Sequence, residues 1–198
     1  MPERGPSSEP ETSDWSILER VAAGEVDEFA TLVERHQERL YRLCRRMLRD
    51  EAGAEDAVQE VFVKLFRKAG SLRPQGQLST WLYRVAMNHC LNRLRRRRLV
   101  RFLPLAEPES EERPAAPLEP VDPGPDPGAR LAARERWRRV ESAIEALPAG
   151  QRAVLVLARF DGLSYREIAA TLGITVGAVE SRLFRAMRAL EKAQETAG

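Results

Sequence analysis

Cysteine and histidine are scarce, with two of each in 198 residues. Cys44 and Cys90 form no Cys-x-x-Cys pair and share no spacing with histidine. Neither a disulfide framework nor a structural zinc site is therefore expected, and no metal or cofactor is expected. His36 and His89 are the only imidazoles, and no carboxylate cluster has metal-ligand spacing, so no enzymatic constellation is expected either. No apolar run reaches membrane-spanning length. The opening MPERGPSSEPETSD has no apolar signal core, so residues 1–14 read as a disordered lead-in and a cytoplasmic location is expected. Net charge is small as well, at +2, which in total predicts no nucleic-acid binding.

The distribution of charge says more than its sum. Arg93, Arg95, Arg96, Arg97, Arg98 and Arg101 crowd one stretch, and Glu107, Glu109, Glu111, Glu112, Glu119, Asp122 and Asp126 fill the next. Such asymmetry suggests a polyanion-binding patch joined to an acidic connector. The connector, LAEPESEERPAAPLEPVDPGPDP (105–127), lies in a segment that holds eight of the thirteen prolines. Proline removes backbone donors and restricts its neighbours, so an extended, exposed segment is expected. It divides the chain into a domain at 15–101, a linker at 102–129 and a second domain at 130–195. No β-pattern of length occurs, and the expected fold is all-α, two small helical domains on a flexible acidic linker.

In the first domain Phe29, Val33, His36, Leu40, Leu43 and Met47 recur at steps of three and four, one face of an amphipathic helix. His36 reads as a histidine at the edge of a core, and Cys44 as a core thiol. A second helix points Ala54, Val58, Val61, Phe62 and Leu65 inward. Asp56, Gln59, Glu60 and Val63 share another of its faces at i, i+3, i+4 and i+7. GSLRPQGQLST then breaks the pattern. A third helix from about Thr80 carries Trp81, Val85 and Leu91 and runs into NRLRRRRLVR. The arginine run fits either a solvated face or a phosphate grip, and Trp81 either a core anchor or a stacking ring. Together, beside Tyr83 and Asn88, they suit opened or single-stranded nucleic acid better than intact duplex.

In the second domain Trp137, Val140, Ile144 and Leu147 form a stripe, and Pro148 suits the first turn of the next helix. That helix carries Val154, Leu157, Ala158 and Phe160. Ser164 and Glu167 have capping-box spacing, Ile168 and Leu172 supply a buried face, Gly173 permits a left-handed turn, and Thr175 can cap the last helix. Two helices joined through such a turn form a helix-turn-helix pattern, whose second helix enters the major groove. At about 100° per residue, Ser181, Arg185 and Arg188 lie opposite Val179, Leu183 and Ala186, with Arg182 flanking. Guanidinium groups fit phosphates and guanine edges, though a basic solvated face would show the same pattern.

Three stretches in this order, AEDAVQEVFVKLF (54–66), STWLYRVAMNHCLNRLRRRR (79–98) and LPAGQRAVLVLARFDGLSYREIAATLGITVGAVESRLFRAMRAL (147–190), resemble the extracytoplasmic-function sigma factors. These are small bacterial initiation factors with only a region 2 and a region 4 domain. The resemblance implies a non-enzymatic subunit that binds core RNA polymerase and directs it to promoters through −10 and −35 elements. Region 2 would be a three- to four-helix bundle at 15–101, and region 4 the helix-turn-helix domain at 130–195. Core polymerase would be met through its flap and through the clamp helices of its largest subunit, the latter by Asp56, Gln59, Glu60 and Val63. The −10 surface maps onto the loop 72–79 and the helix after it, where a non-template base is flipped into a pocket. Ser79, Trp81, Arg84 and Asn88 match that surface, with Arg93, Arg95, Arg96, Arg97 and Arg98 gripping the backbone. Duplex at −35 would be read by Thr175, Ser181, Arg182, Arg185 and Arg188. An anti-sigma factor clamped between the domains is a further implied partner.

Two features depart from the family pattern. Glu180 stands where a basic or neutral residue is more usual, so a distinct −35 preference is expected. The strongly acidic linker fits a solvated spacer or a mimic of nucleic acid inside a basic channel. A stand-alone helix-turn-helix regulator is the alternative, but it would need neither the polar face at Asp56, Gln59 and Glu60 nor an aromatic helix for unpaired bases. A recombinase would need a separate catalytic domain.

Overall fold

A computed structural model describes residues 13–102 and 127–195. The lead-in up to residue 12 and nearly all of the acidic linker lie outside the described residues. Among those described, every regular element is helical, as expected. The first unit comprises α1 (Asp14–Ala22), a 3-10 turn (Val26–Glu28), α2 (Phe29–Leu48), α3 (Glu51–Lys68) and α4 (Leu78–Phe102). The second comprises α5 (Pro127–Ala146), α6 (Ala149–Arg159), α7 (Tyr165–Leu172) and α8 (Val176–Glu195).

Helix α1 begins inside the span assigned to the lead-in. Ser13 caps it by accepting from the Ser16 N–H at 3.2 Å, and Ile17, Leu18 and Val21 are buried. Asp14 reaches α2, where its carboxylate meets Arg35 at 3.0 Å and His36 Nε2 at 2.7 Å. His36 thus lies at the core's edge. On α2 the buried face is Leu32, Leu40, Leu43, Cys44, Met47 and Leu48, with Phe29 and Val33 half-buried beside it. Phe29 packs edge-on against Phe62 and Phe66 of α3, with ring centroids 6.2 and 5.2 Å away.

On α4 the apolar residues named from the sequence are not the ones that carry the core. Leu78, Leu82, Tyr83, Ala86, Met87 and Cys90 are the buried residues, whereas Trp81, Val85 and Leu91 are only half-buried. Leu78, Leu82, Ala86 and Cys90 recur at steps of four, with Tyr83 and Met87 beside them, and the helix packs against α2, α3, α6 and α7. Cys44 and Cys90 are free and fully buried. A hydrogen bond to Cys44, together with burial, raises the Cys90 thiol well above its ordinary range.

The second unit closes on Ile144, Leu147, Ala153, Val154, Leu155, Val156 and Leu157 against Ile168, Val179, Leu183 and Ala186. Pro148 stands at the cap position of α6 (φ −51, ψ 137), one residue before the first turn. The two units pack together along α2, α4, α6 and α7. Arg152, 7% exposed, donates to the Met47 carbonyl of α2 at 2.9 Å and also to the Glu145 carbonyl. A cation there satisfies carbonyls that the ends of α2 and α5 leave open. Arg49 closes α2 in the left-handed conformation (φ 57) and pairs with buried Glu141 of α5 at 3.1 Å.

Candidate nucleic-acid interface

The turn between α7 and α8 is built by local chemistry. Glu167 accepts from the Ser164 N–H at 2.8 Å, and the Glu167 N–H donates to the Ser164 hydroxyl at 3.3 Å, a complete capping box. The Ser164 hydroxyl, donating to the Glu167 carboxylate at 2.6 Å, and the Ser164 N–H hold that carboxyl below its usual range. Gly173 follows with φ 65, and Thr175 accepts the Ala178 N–H at 3.2 Å to open α8. Val179, Leu183 and Ala186 face inward, which leaves Thr175, Glu180, Ser181, Arg185 and Arg188 exposed. Arg185 donates to the Ser181 hydroxyl at 2.6 Å and to its carbonyl at 3.2 Å, so the two form one unit. Arg182 is half-buried and lines a cleft of about 420 Å³ with Pro148, Gly150, Ser181 and Arg185, beside the start of α6. Phe184 is 65% exposed on the same helix, a feature absent from the sequence reading.

Helix α4 presents Trp81, Arg84 and Asn88 at i, i+3 and i+7, with Arg84 and Asn88 exposed and Trp81 half-buried. Ser79 sits half-buried in its first turn, where its hydroxyl meets Gln77 at 3.3 Å. Under the preceding loop lies a cavity of about 260 Å³, lined by Trp81 and Arg84 together with Trp15, Leu72, Arg73 and Gln75. Trp15 was not among the expected site residues. Its signal, a serine cap before an aromatic, is buried in a polar, proline-bearing lead-in.

The arginine run is divided in its use. Arg97 and Arg93 meet the Asp50 carboxylate at 2.6 and 3.2 Å, and Arg93 also reaches Asp56 at 3.5 Å. These two tie α4 to the junction of α2 and α3, while Arg95, Arg96 and Arg98 are exposed. Burial alone would raise the Asp50 carboxyl, but the Gly53 backbone N–H and Arg97 outweigh it and hold the group below its usual range.

On α3, Asp56 and Gln59 are exposed, and Glu60 and Val63 are half-buried. Glu60 pairs with Lys64 at 3.1 Å. Gln59 borders a shallow groove of about 620 Å³ shared with α2, whose walls include Val33, Tyr41, Val58 and Phe62. The polar face therefore adjoins an apolar groove, a combination suited to a protein partner.

One candidate residue is engaged by the other unit. Arg84 donates to the Ala170 carbonyl of α7 at 2.8 Å. Nearby, Arg39 donates to the Asp161 carbonyl at 3.0 Å, and Arg46 stacks over Phe160 at 4.7 Å. Burial pushes the Asp161 carboxyl above its usual range against the pull of Arg46, Arg39 and Arg42. Among the described residues no metal-binding cluster occurs, and no helix is long and apolar enough to cross a membrane.

Two family models match the chain, Sigma-70 region 2 over residues 32–100 and Sigma-70, region 4 over 137–190. The ECF RNA polymerase sigma factor SigM of Mycobacterium tuberculosis is 36% identical, over 92% of this chain and 85% of that relative. The RNA polymerase sigma-H factor of Pseudomonas aeruginosa is 35% identical over 91% of this chain and 93% of its own. The ECF RNA polymerase sigma-E factor of Escherichia coli K12 is also 35% identical, over 90% and 93%. Among solved structures, CnrH in complex with the cytosolic domain of CnrY superposes with a TM-score of 0.65 at 29% identity, covering 93% of this chain and 99% of that one.

Proposed function

The chain belongs to the extracytoplasmic-function sigma factors, and from that premise we propose how its surfaces divide the work of starting transcription. It is a transcription initiation factor that binds core RNA polymerase and directs it to promoters through −10 and −35 elements. Family membership decides against a stand-alone regulator. The chain carries no chemistry of its own and acts in the cytoplasm, where phosphodiester bond formation belongs to the polymerase.

Asp56, Gln59, Glu60 and Val63, with the groove beside Gln59, form the surface for the clamp helices of the largest subunit. The second unit meets the flap. Trp81, Arg84, Asn88 and Ser79 receive an unpaired non-template base and its neighbours. An unstacked base is read by stacking and by hydrogen bonds to its edge, and the cavity beside Trp81 offers both. Arg95, Arg96 and Arg98 grip phosphates there, while Arg93 and Arg97 orient the end of α4 through Asp50. Thr175, Ser181, Arg182, Arg185 and Arg188 serve duplex at −35, with Arg185 pre-oriented by Ser181. Glu180, exposed on the same helix, shifts the base preference there.

Elements about 25 base pairs apart are separated by roughly 80 Å of duplex at B-form rise. Arg84 now touches α7, so the two units must part for both elements to be read at once. An anti-sigma factor holding the compact form is a further expected partner. CnrH, similar over nearly its whole length, was solved with a second protein's cytosolic domain on it.

The observation that carries this reading is the order of both sigma-70 domain matches on one chain. In vitro transcription with core polymerase and a promoter library tests it. Selective initiation that depends on the chain is expected, and unchanged initiation would overturn it.

A further inference from the structure

Helix α1 precedes the matched family region, which begins at residue 32, yet it supplies one wall of the base pocket. The Trp15 Nε1–H donates to the Gly76 carbonyl at 2.7 Å, joining residues 61 positions apart. Among the described residues, the other side-chain hydrogen bonds of this loop are local: Ser71 to Lys68, Arg73 to Gly70 and Leu72, and Ser79 to Gln77. The loop reverses at the residue that Trp15 holds, since Gly76 has φ +75, a conformation that favours glycine. Trp15 and Trp81 both line the cavity, together with Arg73, Gln75 and Arg84. A planar base needs flanking rings and edge partners at a fixed separation.

We propose that Trp15 is a positioning residue of this pocket. By holding Gly76 it sets the loop relative to Trp81, and it makes α1 part of the −10 reader. The proposal rests on the reading of this cavity as the receptor for the flipped non-template base.

The test uses holoenzyme reconstituted from core polymerase and the full chain. The probes are promoter duplexes, selected with the wild type, that carry a single abasic site at each non-template −10 position in turn. Trp15→Phe removes the N–H and keeps a ring. On the intact promoter it should bind about fivefold more weakly, the scale of one lost hydrogen bond. That gap should vanish on the probe lacking the captured base and persist on every other probe. Gly76→Ala, strained at its positive φ, should give the same position-confined loss, and thermal melting confirms that both variants fold. A gap of equal size on all probes, or no gap at all, would overturn the role of Trp15. If no abasic site weakens the wild type, the reading of the cavity itself fails, which is a different result.

Discussion

Arg49→Gly changes two quantities in opposite directions. Arg49 is the one non-glycine residue with positive φ among the described residues, at 57°. A side chain in that conformation costs about 1 kcal/mol relative to glycine, so the first unit should gain that much. The same side chain pairs at 3.1 Å with Glu141, whose side chain is 4% exposed against 21% for Arg49. Removing one partner of a fully buried pair costs about 3–5 kcal/mol. Because water reaches part of Arg49, and Glu141 keeps another contact, about 2 kcal/mol is expected here. That loss falls only on the docking of the two units and shifts the docked-to-undocked ratio about thirtyfold. Small-angle scattering should show a larger radius of gyration, and amides at the contact of α2 with α6 should exchange faster. Arg49→Ala keeps the strained backbone, so it should undock the units equally without stabilising the first. Unchanged scattering in both variants would refute the argument that Glu141 needs Arg49 to stay buried.

Arg185→Ala should weaken holoenzyme binding to −35 duplex by about 1–3 kcal/mol if the contact to a base is bidentate, read by titration at fixed salt. Ser181→Ala should give a smaller loss, since it removes a hydroxyl contact and frees Arg185 without removing the guanidinium. Asn88→Ala should impair −10 opening while −35 binding persists, and unaltered permanganate reactivity in the open complex would count against the assignment. Asp50 titrates below its usual range when folded, so it contributes stability above the unfolded carboxylate pKa of about 3.9 that is lost as pH falls through the lowered value. In Asp50→Asn that acid-side slope should flatten in urea melts across a pH series, together with a loss at neutral pH.

Legibility followed the range of the interactions. The capping box at Ser164 and Glu167, the turn at Gly173 and the cap at Thr175 each depend on residues within four positions, so the sequence displays them directly. On α4 the residues singled out, Trp81, Val85 and Leu91, are half-buried, and the core instead takes Leu78, Leu82, Ala86 and Cys90 at steps of four, because only the packing of the neighbouring helices decides which face is covered. Trp15 was hidden because its partner Gly76 is distant and its neighbours look disordered. Arg93 and Arg97 look like the rest of their run, and only the approach of Asp50 separates them from Arg95 and Arg96. Arg152 gave no signal either, since an arginine in an apolar helix reveals nothing about the carbonyls it will meet.

The seam between the two units has a consequence for the opened chain. Much of what it covers is charge and backbone oxygen: Arg152 on the Met47 carbonyl, Arg49 on Glu141, and Arg39 and Arg46 around Asp161 and Phe160. Were the units to part, as the proposed reading requires, these groups would recover hydration shells. Guanidinium and carboxylate groups lose much of their mutual attraction once wet, so separation releases desolvation cost as it breaks contacts. In the proposed opened form these paired groups would be the first to regain water, beside apolar residues of the one core cluster that runs through both units.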